Sequence, residues 1–523
     1  MGGVIFYKKM RILLVSLNRE TEPFTAAPLG LALVADALIS AGHEVRALDL
    51  LFLKDVDGGI ADAIKGHAPE LVGLSLRNIE SSTEFLLPSY SRVIDQVKGL
   101  TDAPLVLGGP GFSIMPRQVM EYLGVRLGVA GEGEAAVVAL ADALDKGLDP
   151  GEIPGVCTLK DGTFSHAPAK ALEDLSNVRP AWELFPVKGY DMVGVQSKRG
   201  CSFNCVYCTY PSLEGRRMRL VPPASVVSGM KEALGAGVES PFYFVDNVFN
   251  NPKGHAEAVC REIIDNGLKV SWGCLASPLG LDDGLLSLMK QAGCESVEIG
   301  ADSLSGRALK GLGKNFNPET VKEAVRACKR AGTMHMVFLI LGGPGEDEET
   351  LRETFEALDE IRPDKVFAVS GVRIYPGTPL ARLAVQEGVI REGDPLLEPA
   401  FYISNRLGDS LYKLCEAFFA RHQDWIYYPV KGASAPKAQR SETATAWDGP
   451  ASELMERLIL DVPFLLRSIA KRAVRRKSGT LAADRGLASV TAVEVRDAFL
   501  SETPGPFQGP MRESLKKLGL LND

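Results

Sequence analysis

Twice along this chain, short β-branched apolar runs alternate with helix-forming segments, and that alternation leaves few folds open. In the first stretch, residues 11–17, 44–50, 71–76 and 104–109 read as strands, with helices over 29–41, 60–65 and 89–98. In the second, strands are expected over 194–197, 241–245, 269–272, 296–299, 335–340 and 365–369, with helices between them, such as 318–331. Repeats of this kind build parallel sheets with helices packed on the faces. The fold class is therefore α/β: a doubly wound, Rossmann-like domain over residues 1–150, then a partial (β/α)6 barrel over 191–395. Ligands in both architectures sit at the carboxyl ends of the strands.

Residues 151–190 between them are punctuated by Pro and Gly and read as a hairpin and a crossing linker. After the barrel, 396–430 is aromatic-rich and reads as a packed helical extension, and 431–450, rich in Ser, Ala, Thr and Lys, as a flexible linker. Residues 451–523 read as a small α-helical module, with Thr491 and Glu494 spaced as a capping box. Its basic run over 467–477 reads as a solvated face.

A length of 523 residues fits about three or four domains. The net charge of -8 offers no electrostatic footprint for nucleic acid. No secretory leader is read in residues 1–9, and no apolar run is long enough to span a bilayer. The nine cysteines, an odd number, then point to a reducing compartment, the cytoplasm, where thiols stay free or bind metal.

Three of those cysteines, Cys201, Cys205 and Cys208, share one loop with the spacing C-x3-C-x2-C. A structural zinc site would need a second Cys/His pair downstream, and none follows closely: Cys260, Cys274, Cys294 and Cys328 are scattered singly. Three thiolates on a tight loop suit a different metal group. They can hold three irons of a [4Fe–4S] cube and leave the fourth open, whereas an electron-transfer cluster normally takes four cysteines.

This spacing, with Tyr207 just before the third cysteine, resembles the signature of radical S-adenosylmethionine (SAM) enzymes. The strand ends carry further motifs in the same order. Asp246-Asn-Val-Phe249 is similar to the family's DD-x-F form, with Asn247 in place of the second acid. Glu298-Ile-Gly-Ala-Asp-Ser303 follows, then Leu341-Gly-Gly-Pro-Gly-Glu346, like the GxPGE turn, and Arg373-Ile-Tyr-Pro-Gly-Thr-Pro379, like YPGTPL. The resemblance implies that Cys201, Cys205 and Cys208 hold the cluster. It implies a SAM site drawn from Tyr207, Asp246, Asn247, Glu298, Ser303, Gly342, Gly343, Pro344, Arg373 and Tyr375. No residue stands out as a general base; Arg373, Tyr375 and His335 are candidates for substrate or SAM contact, each more readily structural.

In the N-terminal stretch, Pro28-Leu-Gly30, Ser75-Leu-Arg-Asn78, Gly108-Gly-Pro-Gly111 and Gly131-Glu-Gly-Glu134 fall at strand ends. Together they resemble the cobalamin-binding domain that precedes many radical SAM cores. The implied cobalamin contacts are Leu29, Gly30, Ser75, Arg77, Asn78, Gly108, Gly109, Gly131, Glu132 and Gly133. The D-x-H-x-x-G motif that supplies a histidine ligand to cobalt in other cobalamin enzymes is missing: after the first strand the chain reads Leu17-Asn-Arg-Glu-Thr-Glu-Pro23. By position, Arg77 or Asn78 would cover cobalt's lower face without ligating it.

The resemblance thus implies a cobalamin-dependent radical SAM enzyme, a C-methyltransferase acting at an unactivated carbon. SAM would yield a 5′-deoxyadenosyl radical and methylcobalamin would deliver the methyl group. A non-methylating cyclase, oxidase or rearrangement enzyme using the same cofactors stays open, as does a cobalamin-binding sensor with an inactive core. The expected partners are a small-molecule or lipid-like substrate and a flavodoxin- or ferredoxin-like electron donor. The C-terminal module resembles the small helical domain of dark-operative protochlorophyllide reductase and leaves the substrate unread.

Overall fold

The apolar run expected as the first strand is one: β1, Arg11–Ser16, has five of its six residues buried, as a strand covered on both faces must. The computed structural model describes residues 10–21, 24–81, 85–422, 424–430, 446–462, 464–503 and 505–521. The start of the chain at 1–9 and most of the expected flexible linker, 431–445, lie outside the described residues.

β1 is joined by β2 (Glu44–Asp49), β3 (Leu71–Ser75), β4 (Leu105–Gly108) and β5 (Leu127–Val129), all parallel. The hairpin β6 (Val156–Lys160) and β7 (Thr163–His166) adds antiparallel to β5, giving the order β2-β1-β3-β4-β5-β6-β7. The sheet therefore continues past residue 150 into the segment read as a linker. Helices 29–40, 56–67, 87–100 and 134–145 alternate with the parallel strands. The order reverses at β1, so the carboxyl ends of β1 and β3 flank the switch point where a doubly wound sheet binds its ligand.

The second sheet runs β18-β15-β14-β13-β12-β11-β8, all parallel: β8 is Val193–Val195, β11 Phe242–Phe244, β12 Trp272–Ala276, β13 Cys294–Asp302, β14 Met334–Leu341, β15 Lys365–Ser370 and β18 Ile426–Pro429. β9 (Lys198–Arg199) and β10 (Arg219–Leu220) pair antiparallel at the two ends of the cysteine loop, and β16 (Val372–Arg373) pairs with β17 (Phe401–Tyr402).

Two expectations are corrected. The third barrel strand lies at 272–276, carboxyl-terminal to its expected span, because Trp272 and Cys274 carry the burial. The aromatic extension is only partly helical: helix Ser410–Phe419 leads into β18, a seventh strand that pairs with β15. Its aromatic residues are packing groups there, with Phe418 stacked on Phe355 at 4.1 Å and Phe419 on Tyr427 at 5.0 Å.

The residues after 445 form a separate unit. Helices Gly449–Leu458, Phe464–Asp484, Ala492–Glu502 and Gly505–Lys517 surround a core containing Met455, Leu458, Val474, Phe499 and Leu515, with β19 (Ala446–Trp447) paired to β20 (Ser489–Val490). The capping box is present: Thr491 and Glu494 exchange side-chain and backbone hydrogen bonds at the start of helix 492–502. Among the described residues no helix is long and apolar enough to cross a membrane.

Candidate active site

The cysteine loop leaves the carboxyl end of β8 and returns through β10. Gly200, just before Cys201, has φ +94°, and a Cβ there would fall 2.2 Å from the Arg217 carbonyl oxygen, so the loop can close only over glycine. Its carbonyl accepts from Asn247 Nδ2 at 2.8 Å and its N–H donates to Glu214 at 3.0 Å. Val206 ties the loop to the barrel: its N–H donates to Leu312 O at 3.1 Å and its carbonyl accepts from Leu380 N at 2.9 Å.

Cys201 is buried, Cys205 and Cys208 are half-buried, and all three thiols are free. Burial pushes the Cys208 thiol up to about 11, and Cys205 and Cys201 are close enough to add to that shift. Among the described residues no three Cys, His, Asp or Glu side chains converge as around a single metal ion.

Two residues outside the implied SAM set border the thiols: Asp302, read from the sequence as one acid of the Glu298–Ser303 strand end, and Lys314, which the sequence did not single out. Asp302 ends β13 at φ +64°, a conformation rarely taken by a non-glycine residue and common at functional sites. Lys314 lies 2.6 Å from its carboxylate and 3.2 Å from the Tyr207 hydroxyl, which itself donates to Asp302. Burial lowers the Lys314 ammonium, but Asp302 and Cys205 outweigh it, so the cation is held above its ordinary range. Lys314 carries no sequence signal of its own, because Arg307 and Lys310 place other cations in the same segment.

Several expected SAM contacts have protein partners in place of an open face. The Asp246 carboxylate is sealed and accepts from Ser197 N at 2.8 Å, Ser197 Oγ at 2.5 Å and Lys198 Nζ at 3.4 Å. It braces the root of the loop. Ser303 is buried, with its hydroxyl 3.1 Å from that of Thr354 and accepting from Ser305 N. Gly342, Gly343 and Pro344 form a buried turn whose first two N–H groups donate to Glu346. Glu346 is enclosed so completely that burial pushes its carboxyl up to about 7. Arg373 donates to Glu80 of the N-terminal domain at 2.8 and 3.1 Å, and the Tyr375 hydroxyl donates to the same carboxylate at 2.9 Å. Those two residues dock the domains together. His335 is also structural: it is buried at the start of β14, 3.0 Å from Asp364. Glu298 faces the barrel interior, where the Tyr243 hydroxyl donates to it at 2.7 Å.

At the N-terminal sheet, Ser75, Arg77 and Gly108 stand half-buried at the carboxyl ends of β3 and β4, with Asn78 exposed. Arg77 is held below its ordinary range by burial, with Tyr90 and Glu20 close enough to oppose that shift, and a Cβ on Gly30 would meet nothing within 4 Å, so there is open space at this end. Leu29 lines a cleft with Leu33, Trp182, Gly194 and Val195. Gly109 serves packing instead. At φ +91° a Cβ on it would lie 2.5 Å from Leu76 O, so the glycine lets two neighbouring loops touch. The turn at Gly131 and Gly133 likewise packs on Ala169 and Val34.

Glu132 is a correction. Its carboxylate accepts from Arg199 at 3.1 Å and Arg219 at 2.9 Å, and from the Leu172 N–H at 3.0 Å. Arg199 reaches Glu134 as well, at 2.5 Å. Burial raises the Glu132 carboxyl, yet the bonds from Arg219 and Arg199 outweigh it and hold it below the usual carboxylate range. An acid so committed is a clamp between the two domains and not a cofactor contact.

Residues 16–141 match the B12 binding domain family and 195–358 the Radical SAM superfamily. An uncharacterized methyltransferase of Pyrococcus horikoshii is 27% identical, over 79% of this chain and 93% of its own. Tryptophan 2-C-methyltransferase of Streptomyces laurentii is 26% identical, over 73% of this chain and 75% of its own. The radical SAM methyltransferase TsrM of Kitasatospora setae, solved with tryptophan and a SAM analogue, superposes with a TM-score of 0.71 at 25% identity, covering 81% of this chain and 92% of its own. With cobalamin and a [4Fe–4S] cluster bound, TsrM gives a TM-score of 0.75 at 23% identity, covering 91% and 100%.

Proposed function

This chain is a radical SAM protein with an N-terminal B12-binding domain, and we propose that it is a cobalamin-dependent C-methyltransferase acting on a small organic molecule. The observation that carries the reading is the loop itself: three free thiols rooted at a barrel strand end, beside a buried cation and clamped to a B12-binding domain. The similarity to methyltransferases along most of the chain supports the transferred group.

When bound, the cluster, SAM and cobalamin supply the electron, the hydrogen-abstracting fragment and the methyl group. Cys201, Cys205 and Cys208 would hold a [4Fe–4S] cluster that has one iron open to SAM. Lys314 balances negative charge at the thiolates and suits the SAM carboxylate. Asn247, Glu214 and Asp246 fix the loop's root, so that the thiolates do not reorganise on binding. Ser75, Arg77, Asn78, Gly30 and Gly108 would frame the cobalamin site, and Arg77 or Asn78 would cover the cofactor without ligating it. The electron comes from a flavodoxin- or ferredoxin-like donor. The setting is the reducing cytoplasm, which keeps the thiols free.

The test is mass analysis of SAM products from anaerobically reconstituted protein. S-adenosylhomocysteine together with 5′-deoxyadenosine is the expected pair. 5′-Deoxyadenosine alone would replace methylation with another radical outcome, and the absence of both products would reject an enzyme.

A further inference from the structure

The barrel strands keep one face sealed and the other open. Phe242, Phe244, Val297, Ile299, Val337, Leu339 and Ala368 are buried, whereas the alternate positions Tyr243, Leu275, Glu298, Phe338, Phe367 and Tyr428 retain accessible surface. Side chains alternate across a strand, so the second set lines the lumen. Its walls are aromatic: Phe338 and Phe367 are 5.1 Å apart between ring centres, and Phe367 and Tyr428 5.4 Å.

One carboxylate stands in that lining. Glu298 Oε2 accepts the Tyr243 hydroxyl at 2.7 Å, across β12, which presents Gly273 in register with Tyr243. The other oxygen, Oε1, accepts nothing from the described residues and, unlike Glu346 Oε1, is not sealed. A carboxylate oxygen left open in an apolar chamber costs free energy unless a donor arrives to meet it.

We propose that the barrel lumen is the substrate pocket, that its aromatic wall selects a flat apolar ring system, and that Glu298 Oε1 anchors the substrate through one N–H donor. This rests on the radical SAM reading above and adds to it the class of molecule. Tyr243 is a positioning residue, which turns the carboxylate so that only Oε1 faces the guest. A site built around one acceptor rejects an analogue that lacks the donor far more strongly than it rejects a change of shape.

The experiment uses the holoprotein, reconstituted anaerobically with iron, sulfide and cobalamin and saturated with SAM, titrated calorimetrically with indole and with 1-methylindole. Indole is expected to bind at least about 10-fold more tightly. Glu298→Leu should bring the two within about 2-fold. Glu298→Asp, which keeps the acid but withdraws it by a methylene, should reduce the preference at least about 3-fold. Equal binding of the two probes by the wild type, or binding of neither, overturns the proposal. So does a Glu298→Leu protein that keeps the preference. Cluster absorbance and SAM affinity are read in the same sample. A wild type that loads neither rejects the radical SAM reading and this one with it; a wild type that loads both without preferring indole rejects this one alone.

Discussion

Arg199, which directly precedes Gly200 and Cys201 at the root of the cysteine loop, donates at 3.1 Å to Glu132 of the N-terminal domain, and both side chains are more than nine-tenths buried. Arg219, paired with Arg199 across β9 and β10, binds the same carboxylate. The loop that carries the thiols is thus held from the domain that carries the B12 fold. Glu132→Ala leaves two buried guanidinium groups short of a partner, which costs about 3–5 kcal/mol. The expected outcome is a lower unfolding midpoint together with less iron retained per chain, read by thermal denaturation and iron analysis of the same preparation. Unchanged iron content would separate the clamp from the loop.

Gly200→Ala places a methyl against the Arg217 carbonyl oxygen at a φ of +94°. The strain is local, a few kcal/mol at one loop. The variant should therefore keep its circular dichroism spectrum and lose most of its bound iron.

The pH dependence of stability follows from Glu298 and Glu346. Burial, opposed by the Tyr243 hydrogen bond in the first and by the Gly343 and Gly342 N–H groups in the second, pushes both carboxyls up to about 7 from an ordinary 4.5. Between those values the folded chain keeps protons that the unfolded chain has released. Their contribution is therefore complete below about pH 4.5 and is lost as pH rises through about 7. Glu298→Gln keeps an acceptor for Tyr243 and cannot ionise. It should match the wild type at low pH and exceed it by roughly 1–3 kcal/mol above neutrality, in paired urea titrations.

In the C-terminal unit, Thr491 and Glu494 satisfy the first N–H groups of helix 492–502, and Glu494 also pairs with Arg485 at 2.6 Å. Thr491→Ala should destabilise this unit by about 1 kcal/mol. SAM binding and iron content should be unaffected.

What the sequence disclosed was local in kind. The strand and helix periods, the spacing of Cys201, Cys205 and Cys208, the glycine turns and the Thr491–Glu494 box each lie within a few residues of their partners. What it concealed depended on long-range pairing. Glu132, Arg373 and Asp246 sit at strand ends, where ligands are expected, but their partners are Arg199, Glu80 and Ser197, up to 293 residues away. The same position suits a cofactor contact and a domain clamp, and only the fold distinguishes them. β18 was hidden for a related reason. Ile426-Tyr-Tyr-Pro429 is short and aromatic, and becomes a strand by pairing with β15. Lys314 gained its meaning only from Asp302 and the thiols beside it.

The proposed function requires the three-cysteine loop to hold a cluster whose open iron takes SAM. Electron paramagnetic resonance of the anaerobically reconstituted, dithionite-reduced protein, recorded with and without SAM, decides whether it does. We expect a [4Fe–4S] signal that changes on adding SAM and disappears in Cys205→Ala. A signal indifferent to SAM, or no cluster signal in the wild type, would refute that assignment.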